Sequence, residues 1–283
     1  MTHEVLRYAA FTTDPAGGNP AGVVLDASGL DEAAMLRIAA EVGYSETAFL
    51  VPRGGGSFTA RYFSPRAEVP FCGHATVAAA VALAERAGTG GRTFLTRAGE
   101  VPVTVTANGG APRATLSSVP ARQEPVAAAD LAGALAALGW RPGDLDTALP
   151  PRIAYAGARH LVVAAATRER LAALDYDFDR LAALMLRLDL TTVSLVWRES
   201  AAVHHVRNPF PVGGVVEDPA TGAAAAALGG YLRALGLAAP PAVLTLHQGH
   251  DMGRPSLLTV TLEPDDPRVH VSGTAVAIQG PTA

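Results

Sequence analysis

Two alanine-rich helices, each entered through a Pro-x-x-Gly turn, constrain this chain more than any other feature. Pro70-Phe71-Cys72-Gly73 precedes a run of small residues over 74–87, and Pro219-Ala220-Thr221-Gly222 precedes another over 222–235. An acidic residue stands just upstream of each turn, Glu68 in one and Glu217 in the other. Helices of this composition bury little surface per residue. Their thin profile suits close backbone approach, or a central place inside a curved sheet. A helix entered through a glycine turn also presents backbone N–H groups that attract a carboxylate or phosphate.

The elements around the two turns recur in the same order. The first half reads as strands over 5–11 and 21–25, a helix over 31–42, strands over 47–51 and 58–63, the first alanine-rich helix, and strands over 93–96, 101–106 and 114–119. In the helix over 31–42, Met35, Ile38, Ala39 and Val42 fall three and four residues apart, acidic residues fill the first turn, and Gly43 ends it. The second half reads as a strand over 161–165, a helix over 179–188 and strands over 193–197 and 203–206. The second alanine-rich helix and strands over 243–246 and 257–262 complete it. Corresponding elements are offset by roughly 145 to 150 residues, half the chain, which points to an internal duplication. Two domains are therefore expected, 1–120 and 121–283, with the last strand able to return to the first domain.

Composition narrows the function classes. Hydrophobic residues make up 49% of the 283 and charged residues 17%, the profile of a globular chain with a substantial core. A net charge of −4 carries no basic patch for nucleic acid or an acidic membrane surface, so neither partner is expected. The apolar run over 75–84 is too short to span a bilayer, which takes about 20 residues. The N-terminal residues lack a charged segment followed by an apolar one, so a cytoplasmic protein is expected. Cys72 is the only cysteine, which excludes an intrachain disulfide and CxxC metal sites.

Several residues could carry chemistry. Glu46 lies directly after the helix over 31–42, at the mouth of an apolar strand, where loss of hydration suits a carboxylate to exchange protons. The alternative is a solvated turn residue. His74 opens the first alanine-rich helix next to Gly73, a position from which it can orient a carboxylate or bind a ligand. Asp218 precedes the second such helix and reads either as its cap or as a group that binds substrate or pairs with His74. Cys72, between Phe71 and Gly73, reads as inert packing. His204 with His205, and His247 with His250, lack a third ligand at metal spacing, and no metal is expected. Gly17-Gly18-Asn19-Pro20-Ala21-Gly22 lacks both the strand–GxGxxG–helix context and the lysine of a phosphate loop.

An ordered set of motifs resembles the PhzF family. The set comprises Phe11-Thr12, Gly18-Asn19-Pro20-Ala21, Ser45-Glu46-Thr47-Ala48-Phe49, Arg61-Tyr62-Phe63-Ser64-Pro65, Glu68-Val69-Pro70-Phe71-Cys72-Gly73-His74-Ala75-Thr76, Glu217-Asp218-Pro219-Ala220-Thr221-Gly222, and Gln248-Gly249 with Gly253-Arg254-Pro255-Ser256. Each motif alone is weak; their order along nearly the whole chain is specific. The resemblance implies an α+β, diaminopimelate epimerase-like fold of two pseudo-symmetric domains, each a curved sheet wrapped around a central helix, with the active site between them. It also implies a homodimer, no cofactor, and a small-molecule substrate. The best-known family activity isomerises trans-2,3-dihydro-3-hydroxyanthranilate. By motif, Glu46 would move the proton while His74 and Asp218 hold the substrate and assist, and Asn19, Gly73, Thr221, Gly222 and Ala223 would contribute to binding.

The chain departs from the family pattern at Ala9, where aspartate is common, and at Ala223, where serine is common. A missing hydroxyl at a carboxylate-binding turn removes a hydrogen bond worth about 1 kcal/mol net. Two other readings stay open at this point. One is a dehydratase of the same fold using Cys72 with Thr221; the other is a binding protein that has lost catalysis. With a single cysteine, a two-thiol racemase mechanism is excluded within one subunit.

Overall fold

The computed structural model describes residues 3–107 and 110–279. It divides into two compact units, Met1–Ser117 with Ser272–Ala283, and Ser118–Val271. The first unit runs β1 (Leu6–Ala10), β2 (Asn19–Val24), α1 (Glu32–Val42), β3 (Glu46–Gly54), β4 (Ser57–Phe63), β5 (Glu68–Val69), α2 (Gly73–Ala87), β6 (Gly90–Thr96), β7 (Gly99–Thr106) and β8 (Arg113–Ser117). The second runs β9 (Arg122–Pro125), α3 (Ala128–Leu138), β10 (Arg152–Tyr155), β11 (Arg159–Ala164), α4 (Arg168–Ala172), α5 (Phe178–Arg187), β12 (Thr192–Arg198), β13 (Val203–Phe210), β14 (Val215–Asp218), α6 (Gly222–Ala234), β15 (Ala242–Gln248) and β16 (Ser256–Leu262). β17 (His270–Ala277) begins in the second unit and carries the chain back into the first.

The two units repeat one pairing scheme. β1 pairs antiparallel with β2, β2 parallel with β3, β3 antiparallel with β4, β4 parallel with β6, and β6 antiparallel with β7. β10, β11, β12, β13, β15 and β16 follow the same sequence of antiparallel and parallel pairings. In the first unit β8 joins β7 and β17, and β17 joins β1, so the ladder closes on itself. Both parallel steps need a crossover, and the second is made by the alanine-rich helix in each unit.

These helices are central. Every residue of α2 from His74 to Ala84 is buried, so no face meets water, and the helix packs against β1, β2, β3, β7 and β8. α6 is buried in the same way from Ala224 to Leu232 and packs against β9, β10, β11, β12 and β16. Small side chains are a steric requirement there. A Cβ on Gly229 would stand 2.6 Å from Val260 Cγ1, and one on Gly230 2.3 Å from the Cβ of Ala121. The outer helices carry ordinary amphipathic faces. α1 seats Met35 and Ala39 against Val24, Phe49 and Phe63, while α5 and α3 pack Leu181, Leu184, Met185 and Leu138 together.

The sequence expectations miss α3, α4, β5, β9, β10, β14 and β17. α3 lacks a side-chain cap and mixes alanine and leucine without a polar face, so its periodicity carries little contrast. Among the described residues, no helix is long and apolar enough to cross a membrane.

Candidate active site

In the first unit three elements bring the predicted residues together. Asp31 caps α1 by accepting a hydrogen bond from the Ala34 N–H at 2.7 Å, and Gly43 at φ +73° ends the helix in the left-handed region. That turn delivers the chain to Glu46, the first residue of β3, which lies opposite Ala21 in the parallel pairing with β2. β2 itself begins at Asn19, set up by Gly18 at φ +63°, where a Cβ would stand 2.4 Å from the carbonyl oxygen of Ala10. Cys72 closes the extended approach to α2, and its carbonyl accepts from the Thr76 N–H at 3.0 Å and the Thr76 hydroxyl at 2.6 Å. Tyr62 hydrogen-bonds the same Thr76 hydroxyl at 2.7 Å, so the start of α2 is fixed from the sheet.

His74 is the hub of this group. Its side chain is 7% exposed and that of Glu46 is 16% exposed. The Asn19 amide donates to His74 Nδ1 at 3.1 Å, which leaves the imidazole proton on Nε2. Nε2 lies 3.4 Å from Glu46 Oε2 and 3.4 Å from the Ser45 hydroxyl. Cys72 Sγ lies 3.4 Å from Nδ1 and 3.8 Å from Nε2. Glu46, Cys72 and His74 thus present one ligand atom each, all within 4.8 Å of one another. Among the described residues Nε2 makes a hydrogen-bond contact with the Ser45 hydroxyl, and the partly open Glu46 carboxylate stands beside it.

The second unit builds a different group at the equivalent helix start. Of the two readings of Asp218, cap of α6 or substrate-binding group, the structure does not bear out the cap. Asp218 is the last residue of β14, the residue preceding the helix is Thr221, and Thr221 makes no side-chain cap bond. Instead the Thr221 hydroxyl donates to Asp218 Oδ2 at 2.5 Å. The Gln248 amide joins these pieces: Oε1 accepts from the Thr221 N–H at 3.1 Å, and Nε2 donates to the Asp218 carbonyl at 2.8 Å and to Thr221 Oγ1 at 3.0 Å. Gln248 is buried, and Gly249 after it has φ +75°, with a Cβ there 2.2 Å from the Arg254 carbonyl oxygen. No other residue fits, which accounts for the Gln-Gly pair. The first helical hydrogen bond of α6 runs from the Ala225 N–H to the Thr221 carbonyl. The helix therefore offers no intrahelical partner to the N–H groups of Gly222, Ala223 and Ala224.

The acidic residues upstream of both turns are structural. Glu68 accepts from Arg61 Nε at 2.8 Å across β4 and β5, and this arginine holds its carboxyl below the usual carboxylate range. Glu217 accepts from Arg207 Nε at 3.0 Å across β13 and β14. Sequence reasoning assigned no role to Gln248 or Ser45 and read Cys72 as inert packing or, in the dehydratase alternative, as a thiol working with Thr221. Their signal was confined to the motifs that contain them, because a side-chain amide or thiol has no periodicity of its own.

Fold and site together define a two-unit α+β chain with a carboxylate, an imidazole and a thiol gathered at one central helix and a side-chain amide bridging the start of the other. The family model for phenazine biosynthesis-like protein, PhzC-PhzF, matches residues 8–280, and the chain belongs to this family. An uncharacterized isomerase, YddE of Escherichia coli (strain K12), is 34% identical over 288 residues, covering 98% of this chain and 97% of its own length. Trans-2,3-dihydro-3-hydroxyanthranilate isomerase of Pseudomonas fluorescens is 31% identical over 280 residues, covering 97% of this chain and 96% of its own. The crystal structure of the Bacillus anthracis phenazine biosynthesis protein of the PhzF family superposes with a TM-score of 0.88 at 27% identity, covering 99% of this chain and 98% of that one. The fold is the diaminopimelate epimerase-like fold, as the motifs implied.

Proposed function

We propose that this chain is an isomerase that shifts a proton within a small carboxylate-bearing metabolite, with the Glu46 carboxylate as the proton carrier. The pairing of Glu46 with a tautomer-fixed His74 is the observation that carries this reading. On a substrate such as trans-2,3-dihydro-3-hydroxyanthranilate, Glu46 takes a proton from an sp3 ring carbon. The electron pair moves through the conjugated diene, and the same carboxyl returns the proton at a different carbon. Atoms and electrons balance within the substrate, so the reaction itself consumes no oxidant, reductant or cofactor.

His74 acts beside Glu46, its Nε2–H stabilising the carboxylate and orienting it toward the substrate. Asn19 serves by holding the imidazole in that tautomer. Gly73 adds a backbone N–H at the start of α2. In the second unit, the N–H groups of Gly222 and Ala223 at the positive end of α6 suit a carboxylate, and Gln248 holds Thr221 and Asp218 beside them.

A steady-state assay following loss of the substrate diene tests the reading. Wild type converts the substrate and Glu46→Gln does not, with the variant's fold checked by circular dichroism. A thiol-based lyase is the second reading, motivated by Cys72 Sγ lying 3.4 Å from the imidazole. Cys72→Ser separates the two: a loss smaller than about tenfold supports Glu46, and a loss matching that of a catalytic group, about 10²–10⁴-fold, supports the thiolate.

A further inference from the structure

We infer that Asn208 is a further binding residue of the second unit, which reads a hydroxyl group of the ligand together with Asp218, and that His160 and Thr192 position its amide. These four residues stand on four successive strands, β11 to β14, and form a polar row. His160 lies opposite Thr192 in the β11–β12 pairing, and Asn208 lies opposite Asp218 in the β13–β14 pairing. His160, Thr192 and Asn208 are each no more than 1% exposed. Polar side chains buried this deeply are costly unless they hydrogen-bond. Here they bond to one another. His160 Nδ1 lies 2.7 Å from Thr192 Oγ1, and the Thr192 hydroxyl donates to Asn208 Oδ1 at 3.0 Å.

The direction of this chain follows from its hydrogens. A hydroxyl has one, and Thr192 gives it to Asn208, so His160 Nδ1 donates. Burial pushes the His160 pKa down to about 3, so near neutral pH the ring is uncharged and its single proton stays on Nδ1. Asn208 Oδ1 is thereby committed to Thr192, and the other end of the amide is left as a donor. Nδ2 makes no hydrogen bond among the described residues and, unlike His160 Nε2, keeps access to solvent. Directly opposed residues of an antiparallel pair share a face, with Cβ atoms about 5 Å apart. Asn208 thus offers a donor on the face that carries the Asp218 carboxylate, an acceptor. Asp218 accepts from the Thr221 hydroxyl at 2.5 Å, and a carboxylate accepts several hydrogen bonds. A donor beside an acceptor suits a group that does both. A hydroxyl does, whereas a carboxylate only accepts and an ammonium only donates. The pair therefore selects a hydroxyl-bearing ligand over its deoxy counterpart. That the ligand lies at this helix start rests on the proposed function; the orientation of the amide does not.

The test compares two stable aromatic acids that differ by one hydroxyl, 3-hydroxyanthranilate and anthranilate, in calorimetric titrations of the full chain. Wild type is expected to bind the first about tenfold more tightly than the second. Asn208→Leu, of similar size, removes that preference and leaves anthranilate affinity within about threefold of wild type. Thr192→Val frees the amide to turn and lowers the preference by about threefold or more, which preserves the test if the leucine variant fails to fold. A merely structural role would weaken both compounds alike. Equal affinity of wild type for the two, or a preference that survives in Asn208→Leu, overturns the inference. Nitrogen-15 NMR of the histidine rings adds a readout that needs no ligand. Wild-type His160 protonated at Nδ1 supports the inference; protonation at Nε2 reverses the chain, turns the amide over and overturns it. Binding of neither compound rejects the ring substrate of the proposed function, and the His160 tautomer then decides the inference.

Discussion

At the start of α2 the extended residue Cys72 hands over to Gly73, and at the start of α6 the extended Thr221 hands over to Gly222; neither side chain caps its helix. Both approaches are tied down by an arginine from the preceding strand, Arg61 on Glu68 and Arg207 on Glu217. Both helices are then buried along most of their length. The side chains that converge at the two starts share only a carboxylate, Glu46 at one and Asp218 at the other. One group is titratable, with an imidazole between a carboxylate and a thiol. The other centres on a neutral amide that ties Thr221 to the backbone of Asp218, with the Thr221 hydroxyl donating to the Asp218 carboxylate. One repeated pairing scheme thus carries two differently furnished helix starts, and on the proposed function the first carries proton chemistry and the second binds.

Breaking the titratable start has the largest expected effect. Glu46→Gln removes the proton carrier and lowers turnover about 10³-fold while leaving substrate affinity within about threefold, measured by steady-state kinetics and by ligand titration. A comparable fall in affinity instead would make Glu46 a binding residue and erase the division between the units.

The next effect concerns acid stability, where the units also differ. The second unit buries two histidines with lowered pKa: burial pushes His160 down to about 3, and burial followed by the charges of Arg198 and His205 pushes His204 down to about 4. Neither ring nitrogen of His204 has a hydrogen-bond partner, and His160 has one only at Nδ1, which donates to the Thr192 hydroxyl at 2.7 Å while that hydroxyl donates to Asn208. Each binds its proton more tightly unfolded, near pH 6.5, than folded. Their contribution to stability is therefore complete above pH 6.5 and is lost as pH falls toward 4, about 3 kcal/mol for His204. Hydrogen exchange followed from pH 7 to pH 4 should show protection falling first in β11 and β13. His204→Leu should narrow the drop, and equal loss in both units would contradict the contrast.

A smaller effect sharpens the binding side. Gln248→Ala cuts the amide links between Thr221 and Asp218 and should raise KM about tenfold with kcat nearly unchanged. The smallest effect is a gain. Ala223→Ser adds a hydroxyl at the start of α6 and should lower KM about fivefold for a carboxylate substrate, about 1 kcal/mol. No change on Ala223→Ser would place the substrate carboxylate elsewhere.

Local chemistry decided what could be read from the sequence. α1 was legible because Asp31, the three-and-four spacing of Met35, Ile38 and Ala39, and Gly43 all agree. α2 and α6 were legible because runs of alanine exclude strands, and Gly229 and Gly230 show why their size is fixed. α3 escaped because alanine and leucine on every face leave no period to detect. Glu46 and His74 were visible by position and motif, whereas the Asn19–His74–Cys72 contacts bridge 55 and 2 residues and follow from how β2 and α2 meet. The role of Gln248 depends on a side-chain amide reaching 27 residues back, which no local pattern encodes.

Proton transfer by Glu46 is tested most directly by NMR of the reaction in D2O. Wild type with trans-2,3-dihydro-3-hydroxyanthranilate should place deuterium at the newly formed C–H position, and Glu46→Gln should give neither product nor label. Label appearing at an unchanged rate in the Glu46→Gln variant would contradict the account and assign the proton to another group.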